Sequence, residues 1–520
     1  MYSKTSLILL LTLCIIIKTQ AQTPVEKGLN AINEHALKGP LTFLSSNWLE
    51  GREATTRGAY MASDYLASIY LENKLTPAIG TSFYSEVPLV ISHQPKEATL
   101  RLIKKGTSKT FAFPHAIRAQ RLVESYTIEG SIIWGGYGIN HKQIEEINTK
   151  HSKGKILISL KGLPRSHDEE IEKPAWLLDK KNNEWLELKK RTRESSGVIA
   201  ILEYDLNDPH LRKSFDETPI NNATPLAEKE LSKYASGIYQ KSLSLPSDKN
   251  ELTPYLQVSK AVMNELIPNF DQQLKQYISN LAQNKAVPIK TFNYNTIQLS
   301  ATAHVEHKKC RNVVAMIKGS TYPDEIIVVG AHYDHLGSYN GHIWNGADDN
   351  GSGAIGVVTI AKAFLATGVQ PKRTILFANW TAEERGLHGS RHFVNTYRNI
   401  DKVKYYHNYD MIGRSANHLK PDSAVTLLYT KTWNQAEELC KLNNQNYSLG
   451  LKINYSAWDN PTSGSDNAPF ARLGIPIMWF HTGGHESYHM PGDHVEKIDW
   501  QKLEAIVKTS FLTLWTLANE

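Results

Sequence analysis

The stretch TILFANWTAEERG, residues 374–386, runs from a strand-like apolar segment into two adjacent acids, Glu383 and Glu384, and then a glycine. Successive side chains on a strand point to opposite faces. The two glutamates can therefore serve one site only if they divide its work or the chain leaves the strand there.

Working outward from this stretch, the pattern is regular. Val313–Ile317 and Ile326–Val329, split by Thr321-Tyr-Pro-Asp324, read as a hairpin. A helical run follows over Gly353–Leu365, then the strand Thr374–Trp380 and a helix around Leu387–Tyr397. Strands are predicted over Val403–Tyr409, Ala424–Tyr429 and Ile475–Phe480, with helices from Asn434 and over Gln501–Leu517. This alternation predicts an α/β fold with a mixed, mostly parallel central sheet and helices on both faces. Chemistry in such folds gathers beyond the C-terminal ends of the strands.

The polar residues fall at those strand exits. His332, Asp334 and His335 follow Ile326–Val329; Asp348 and Asp349 stand in a Gly- and Asn-rich loop that leads into a helix; Glu383 and Glu384 follow Trp380. Asp410 follows Tyr409, and His481, His485, Tyr488, His489 and Asp493 follow Phe480. One His at a strand end is usually a satisfied polar group, and one Asp before Asn-Gly is usually a turn or cap. Five such exits together are hard to explain as turns. Imidazole and carboxylate without thiolate suit zinc, or Mn and Co, better than soft metals. Five ligands exceed the usual set of one catalytic zinc, and a carboxylate bridging two ions about 3.5–4 Å apart would accommodate them. Two bridged ions acidify a shared water and polarise a carbonyl, while a carboxylate held off the metal takes the proton. One glutamate of the pair would then bind metal and the other act as base.

The rest of the chain sets bounds. At 520 residues it is long enough for more than one folded unit, and its 41% apolar content is ample for a core. Lys4 precedes the apolar run Leu7–Ile17, and Ala21 offers a cleavage point, so residues 1–22 read as a signal peptide that is too short for a comfortable membrane span. Its removal takes away Lys4 and Lys18 and lowers the formal charge from +6 to +4. So mild an excess does not argue for nucleic acid. The expectation is an exported chain, periplasmic or secreted, without stable membrane insertion. Cys310 and Cys440 remain, as free thiols or as a bridge. Residues 23–90 look helical, whereas from about 95 to 280 short β-like runs (131–134, 155–160, 197–202) alternate with charged stretches such as Asp168–Lys173.

The ordered motifs AHYDHLG (331–337), NGADDNGSG (345–353), TAEERGLHGS (381–390), NYDMIG (408–413) and YHMPGD (488–493) resemble those of the M28 zinc peptidases, a family that includes bacterial leucyl aminopeptidases. Phe43–Arg52 resembles the start of that catalytic domain. Residues 95–285, with Gly135-Gly-Tyr-Gly138, look like an inserted protease-associated (PA) domain. The implied organisation is catalytic residues 23–94 and 286–520 around this insert.

The resemblance implies two Zn2+ per chain, with Mn2+ or Co2+ as possible substitutes. His332 and Asp410 would hold one ion, Glu384 and His489 the other, and Asp349 would bridge them. Glu383 matches the general base, Asp334 would orient the His332 imidazole, and Tyr488 matches a tyrosine that steadies the oxyanion. His481 and His485 read as loop structure, and His335 as either support for the site or a turn. The implied reaction removes N-terminal residues from peptides with a free N-terminus, through a metal-bridging hydroxide. Glu383 and Asp410 would hold the α-amino group, and Trp344 is a candidate pocket wall or a packing residue. Carboxypeptidase or dipeptidase action, a single-zinc glutaminyl cyclase and a non-catalytic receptor-like protein are the alternatives.

Overall fold

The computed structural model describes residues 22–93, 97–113, 116–119, 124–142, 144–164, 176–177, 180–211, 242–248, 253–339, 341–416 and 424–520. The segment read as a signal peptide and the charged run 168–173 lie outside the described residues, apart from Gln22.

The main sheet runs in the order Ser242–Ser244, Tyr84–His93, His304–Ile317, Arg373–Trp380, Tyr322–His332, Val403–Tyr409, Ile477–His481, Ala424–Thr430, Lys452–Trp458. Its four central strands, from Arg373–Trp380 to Ile477–His481, are parallel. Antiparallel pairings flank them on both sides. Period-2 alternation sorts the side chains between two layers. Val313, Ala315, Ile327, Val329, Ile375 and Phe377 pack with Leu66, Ile360 and Phe511 of the helices Arg57–Glu72, Gly353–Ala366 and Trp500–Asn519. Val314, Ile326, Val328, Leu376 and Ala378 face the other way, onto Phe393 and Phe470 of His388–Thr396 and Asn467–Arg472. Both faces are covered, which is why the central strands read as continuous apolar runs.

Two expectations are corrected. Val313–Ile317 and Ile326–Val329 do not form a hairpin, because Arg373–Trp380 lies between them, antiparallel to the first and parallel to the second. A strand buried on both faces belongs in the sheet's interior, and this one displaces the local pairing. Within the stretch read as helical, Tyr84–His93 is a strand that pairs with His304–Val313. Its Val87-Pro-Leu-Val-Ile91 run is suited to a pleated surface.

A second sheet, ordered Thr107–Ala112, Ala98–Lys104, Thr296–Ala301, Tyr126–Trp134, Ile156–Leu160, Ala200–Tyr204, Tyr255–Val258, Ile117–Ala119, builds its own core. Thr296–Ala301 pairs on both edges within it, so this unit extends past the boundary drawn at residue 285. One piece of the insert, Ser242–Ser244, returns to the edge of the main sheet. Cys310 and Cys440 are buried free thiols. Among the described residues no helix is long and apolar enough to cross a membrane.

Candidate active site

The exits of the central strands bring their polar residues together. His332 is the last residue of its strand, Asp410 directly follows Tyr409, and Asp349 lies in the turn before the helix Gly353–Ala366. Gly346 is required in that turn. With φ at 56°, a Cβ there would lie 2.2 Å from the Asp349 carbonyl oxygen and 2.5 Å from the His335 ring. The strand Arg373–Trp380 ends two residues before the glutamates, where Ala382 takes φ 55°. The Glu383 carbonyl then accepts the N–H groups of Gly386 (2.8 Å) and Leu387 (2.9 Å). The pair therefore stands on a tight turn and not on a pleat.

On that turn the glutamates part company. Glu383 joins His332 and Asp410, and Glu384 joins Asp349 and His335, each trio with ligand atoms within 4.8 Å of one another. His332 Nε2 lies 3.7 Å from carboxylate oxygens of Asp349, Glu383 and Asp410. His489 Nε2 lies 3.2 Å from both Asp349 and Glu384. Asp349 is thus within reach of both groups. The five residues read as ligands converge, and His335, left open by sequence, joins them: its Nδ1 donates to Glu384 Oε1 at 2.7 Å.

Electrostatics separates the pair as well. Burial, reinforced by the carboxylates of Asp410, Asp466 and Glu384, pushes the Glu383 carboxyl well above the usual range despite His332 nearby. Burial acts in the same direction on Glu384, but hydrogen bonds from His335 and His489 hold it well below that range. Burial opposes protonation of His332, yet Glu383, Asp410 and Asp334 carry it well above 6.5. So many buried acids, with imidazoles and the one guanidinium of Arg52 set against them, form a donor set suited to a cation. His335 Nε2, buried with no hydrogen-bond partner, fits the same requirement. Nitrogen and oxygen donors without sulfur match zinc.

Support comes from residues whose part the sequence did not reveal. The fully buried Arg52 donates to the carbonyl oxygens of Tyr333, Leu44, Asn345 and Gly346 at 2.6–2.9 Å, tying the loops that carry His332 and Asp349. Asp493 Oδ2 accepts the amides of Asp348 and Asp349, each at 3.0 Å. Asp348 Oδ1 in turn accepts the Gly413 amide at 2.6 Å, and its Oδ2 lies 3.3 Å from His485 Nε2. His481 Nδ1 meets the Asp410 carbonyl at 2.7 Å. His485 and His481, read as loop structure, therefore brace ligand-bearing segments. Only the presence of Asp348 and Asp493 inside the motifs could have signalled this.

Three further expectations are refined. The His332 ring contacts the Asp334 carbonyl oxygen at 3.1 Å, while the Asp334 carboxylate sits 3.9 Å away and accepts the Glu383 amide at 3.1 Å. Trp344 is fully buried and donates to the His489 carbonyl at 3.0 Å, so it packs beneath the loop. Tyr488 is 45% exposed, its ring stacked on His489 with centroids 3.9 Å apart.

Residues 312–514, which hold every one of these acids and histidines, match the profile of peptidase family M28. The chain is 40% identical over 119 residues to leucine aminopeptidase 2 of Trichophyton rubrum, a stretch covering 22% of either chain. It is 29% identical over 244 residues to a glutamate carboxypeptidase 2 homolog of Caenorhabditis elegans, covering 40% of this chain and 30% of that one. The aligned stretch thus spans well under half the length of these curated relatives. The aminopeptidase from Aneurinibacillus sp. strain AM-1 shares the fold at a TM-score of 0.53 and 18% identity, over 95% of this chain and 96% of that one.

Proposed function

We propose that this protein is an exported M28-type aminopeptidase that holds two zinc ions and removes N-terminal residues from peptides. The observation that carries the reading is the placement of Asp349, 3.7 Å from His332 and 3.2 Å from His489, between two groups of nitrogen and oxygen donors. His332 and Asp410 would hold one ion, Glu384 and His489 the other, and Asp349 both. When bound, the ions supply Lewis acidity toward a peptide carbonyl and an attacking water.

The chain's own residues do the rest. Glu383 is held off Glu384's group by the turn, takes the proton from the attacking water and returns it to the leaving amine. Glu383 and Asp410 face the free α-amino group as counter-charges. The Tyr488 hydroxyl, on the open side of His489, donates to the developing oxyanion. The second unit is read as a PA-like domain that shapes the substrate side.

A carboxypeptidase would need a cation available to the substrate carboxylate. Among the described residues, the guanidiniums near these acids are engaged: Arg52 with four carbonyls, Arg385 with Glu53 at 3.1 Å, and Arg414 beside Asp493 at 3.6 Å. This favours recognition of an amine. Metal analysis with a panel of aminoacyl-4-nitroanilides and N-blocked dipeptides tests the proposal. Zinc near two per chain and cleavage of free-amine substrates alone are expected; cleavage of N-blocked dipeptides, or a metal-free inert protein, overturns it.

A further inference from the structure

Among the described residues, a short segment of the second unit reaches back to pair with the main sheet. Ser242–Ser244 pairs antiparallel with Tyr84–His93, placing Leu243 opposite Ile91. Leu243 and Leu245 are buried in a small cluster with Ala54, Val87, Leu89, Cys310 and Ala382. Ala382 is the left-handed residue that turns the chain into Glu383. Three residues on, Asp248 accepts the Leu245 amide at 3.0 Å and forms a two-pronged ion pair with Arg391. Arg391 stands in the first turn of the helix His388–Thr396, which the Glu383–Leu387 turn feeds directly, and its amide donates to the Leu387 carbonyl. Leu243 and Leu245 press on the start of the catalytic turn, and Asp248 grips the helix at its end.

We infer that Ser242–Asp248 is a strap that positions the Glu383–Glu384 turn, with Asp248 a positioning residue acting through Arg391. The inference about its catalytic consequence rests on the aminopeptidase reading; the inference about the turn does not. A bidentate guanidinium–carboxylate pair fixes direction as well as distance. A glutamate that moves a proton is sensitive to displacements of about 1 Å, whereas metal and substrate are also held by His332, Asp349, Asp410 and His489 outside the turn. Loosening the strap should therefore fall on kcat and spare KM and zinc content. It also makes the second unit a lever on the proton-moving residue, since both ends of the strap belong to that unit's chain.

The test combines kinetics with hydrogen exchange on the full chain. D248N keeps an acceptor for the Leu245 amide and removes the charge; D248A removes both; R391A removes the partner. Each is expected to lower kcat roughly 5- to 10-fold with KM within about twofold, zinc at the wild-type level and faster amide exchange in 381–391. D248A/R391A should be no worse than either single variant, because the two residues act as one contact. Unchanged exchange in 381–391 overturns the strap whatever the activity. Losses that multiply in the double variant, or equal changes in kcat and KM, overturn Asp248's positioning role. If the wild-type chain cleaves no free-amine substrate, the aminopeptidase reading fails, and exchange alone still decides the strap.

Discussion

The amide of Glu383 donates to the carboxylate of Asp334 at 3.1 Å, a part-buried hydrogen bond that joins the exits of two neighbouring parallel strands. The acid that holds the backbone of the proposed base is thus two residues from His332. Asp334→Ala should lower kcat by about 10- to 100-fold, the range seen when residues behind a metal site are lost. Asp334→Asn, which retains an acceptor oxygen, should lose less. Steady-state kinetics of the two variants, compared at equal zinc content, checks this ordering.

The adjacent glutamates should fail in different ways. Glu383→Gln is expected to keep its metal and lose roughly a thousandfold in kcat, within the span for a general base. Glu384→Gln should lose metal, since its carboxylate meets both His335 and His489. Zinc analysis of the purified variants beside their turnover separates the outcomes, and near-normal turnover by the Glu383 variant would sink the assignment.

Asp493 should matter for metal affinity although it belongs to neither trio. Its Oδ2 fastens the amides on both sides of the Asp348–Asp349 peptide. Asp493→Ala is expected to weaken zinc binding by about 10- to 100-fold, read by competition with a chelator.

Arg52→Met should act on stability first. Removing the guanidinium strands four buried carbonyl oxygens and takes a positive charge from beside Asp334, Asp493 and Asp349. A loss of roughly 3–5 kcal/mol is expected, as for breaking one side of a buried charged network. Denaturant unfolding of the zinc-free protein measures it.

The central strands also make stability depend on pH. Burial of His407 lowers its pKa to about 3, against 6.5 for an unstrained imidazole. Above 6.5 both folded and unfolded chains hold it neutral. As pH falls from 6.5 toward 3 the unfolded chain gains a proton that the folded one does not, so stability falls by about 1.4 kcal/mol per pH unit. His407→Leu should flatten this part of the profile, which thermal unfolding at a series of pH values will record.

Much of the site was legible because strand exits are marked in sequence by an apolar run giving way to His, Asp or Glu. His332, Asp349, Glu384, Asp410 and His489 all converge as that pattern suggested. What was not legible depends on partners distant in sequence. Arg52 satisfies carbonyls almost 300 positions away, and nothing in LEGR specifies them. Trp344 carries no mark of whether its ring faces solvent or the underside of the His489 loop. The pairing of Val313–Ile317 with Arg373–Trp380 rather than with its sequence neighbour is set by burial on both faces, which a local turn signal cannot report.

The seam between the two sheets bears on how the chain assembles. Ala98 pairs with Ala301 inside the second unit, and His93 pairs with His304 in the main sheet only a few residues beyond. Once the second unit has folded, its two ends are already zipped together. The N-terminal strand then has to find its neighbour across a gap of about ten residues and not across the whole insertion, which removes most of the loop-closure cost. As the chain is synthesised, the second unit can be complete before the catalytic sheet begins to close, and it hands the sheet its first edge in register.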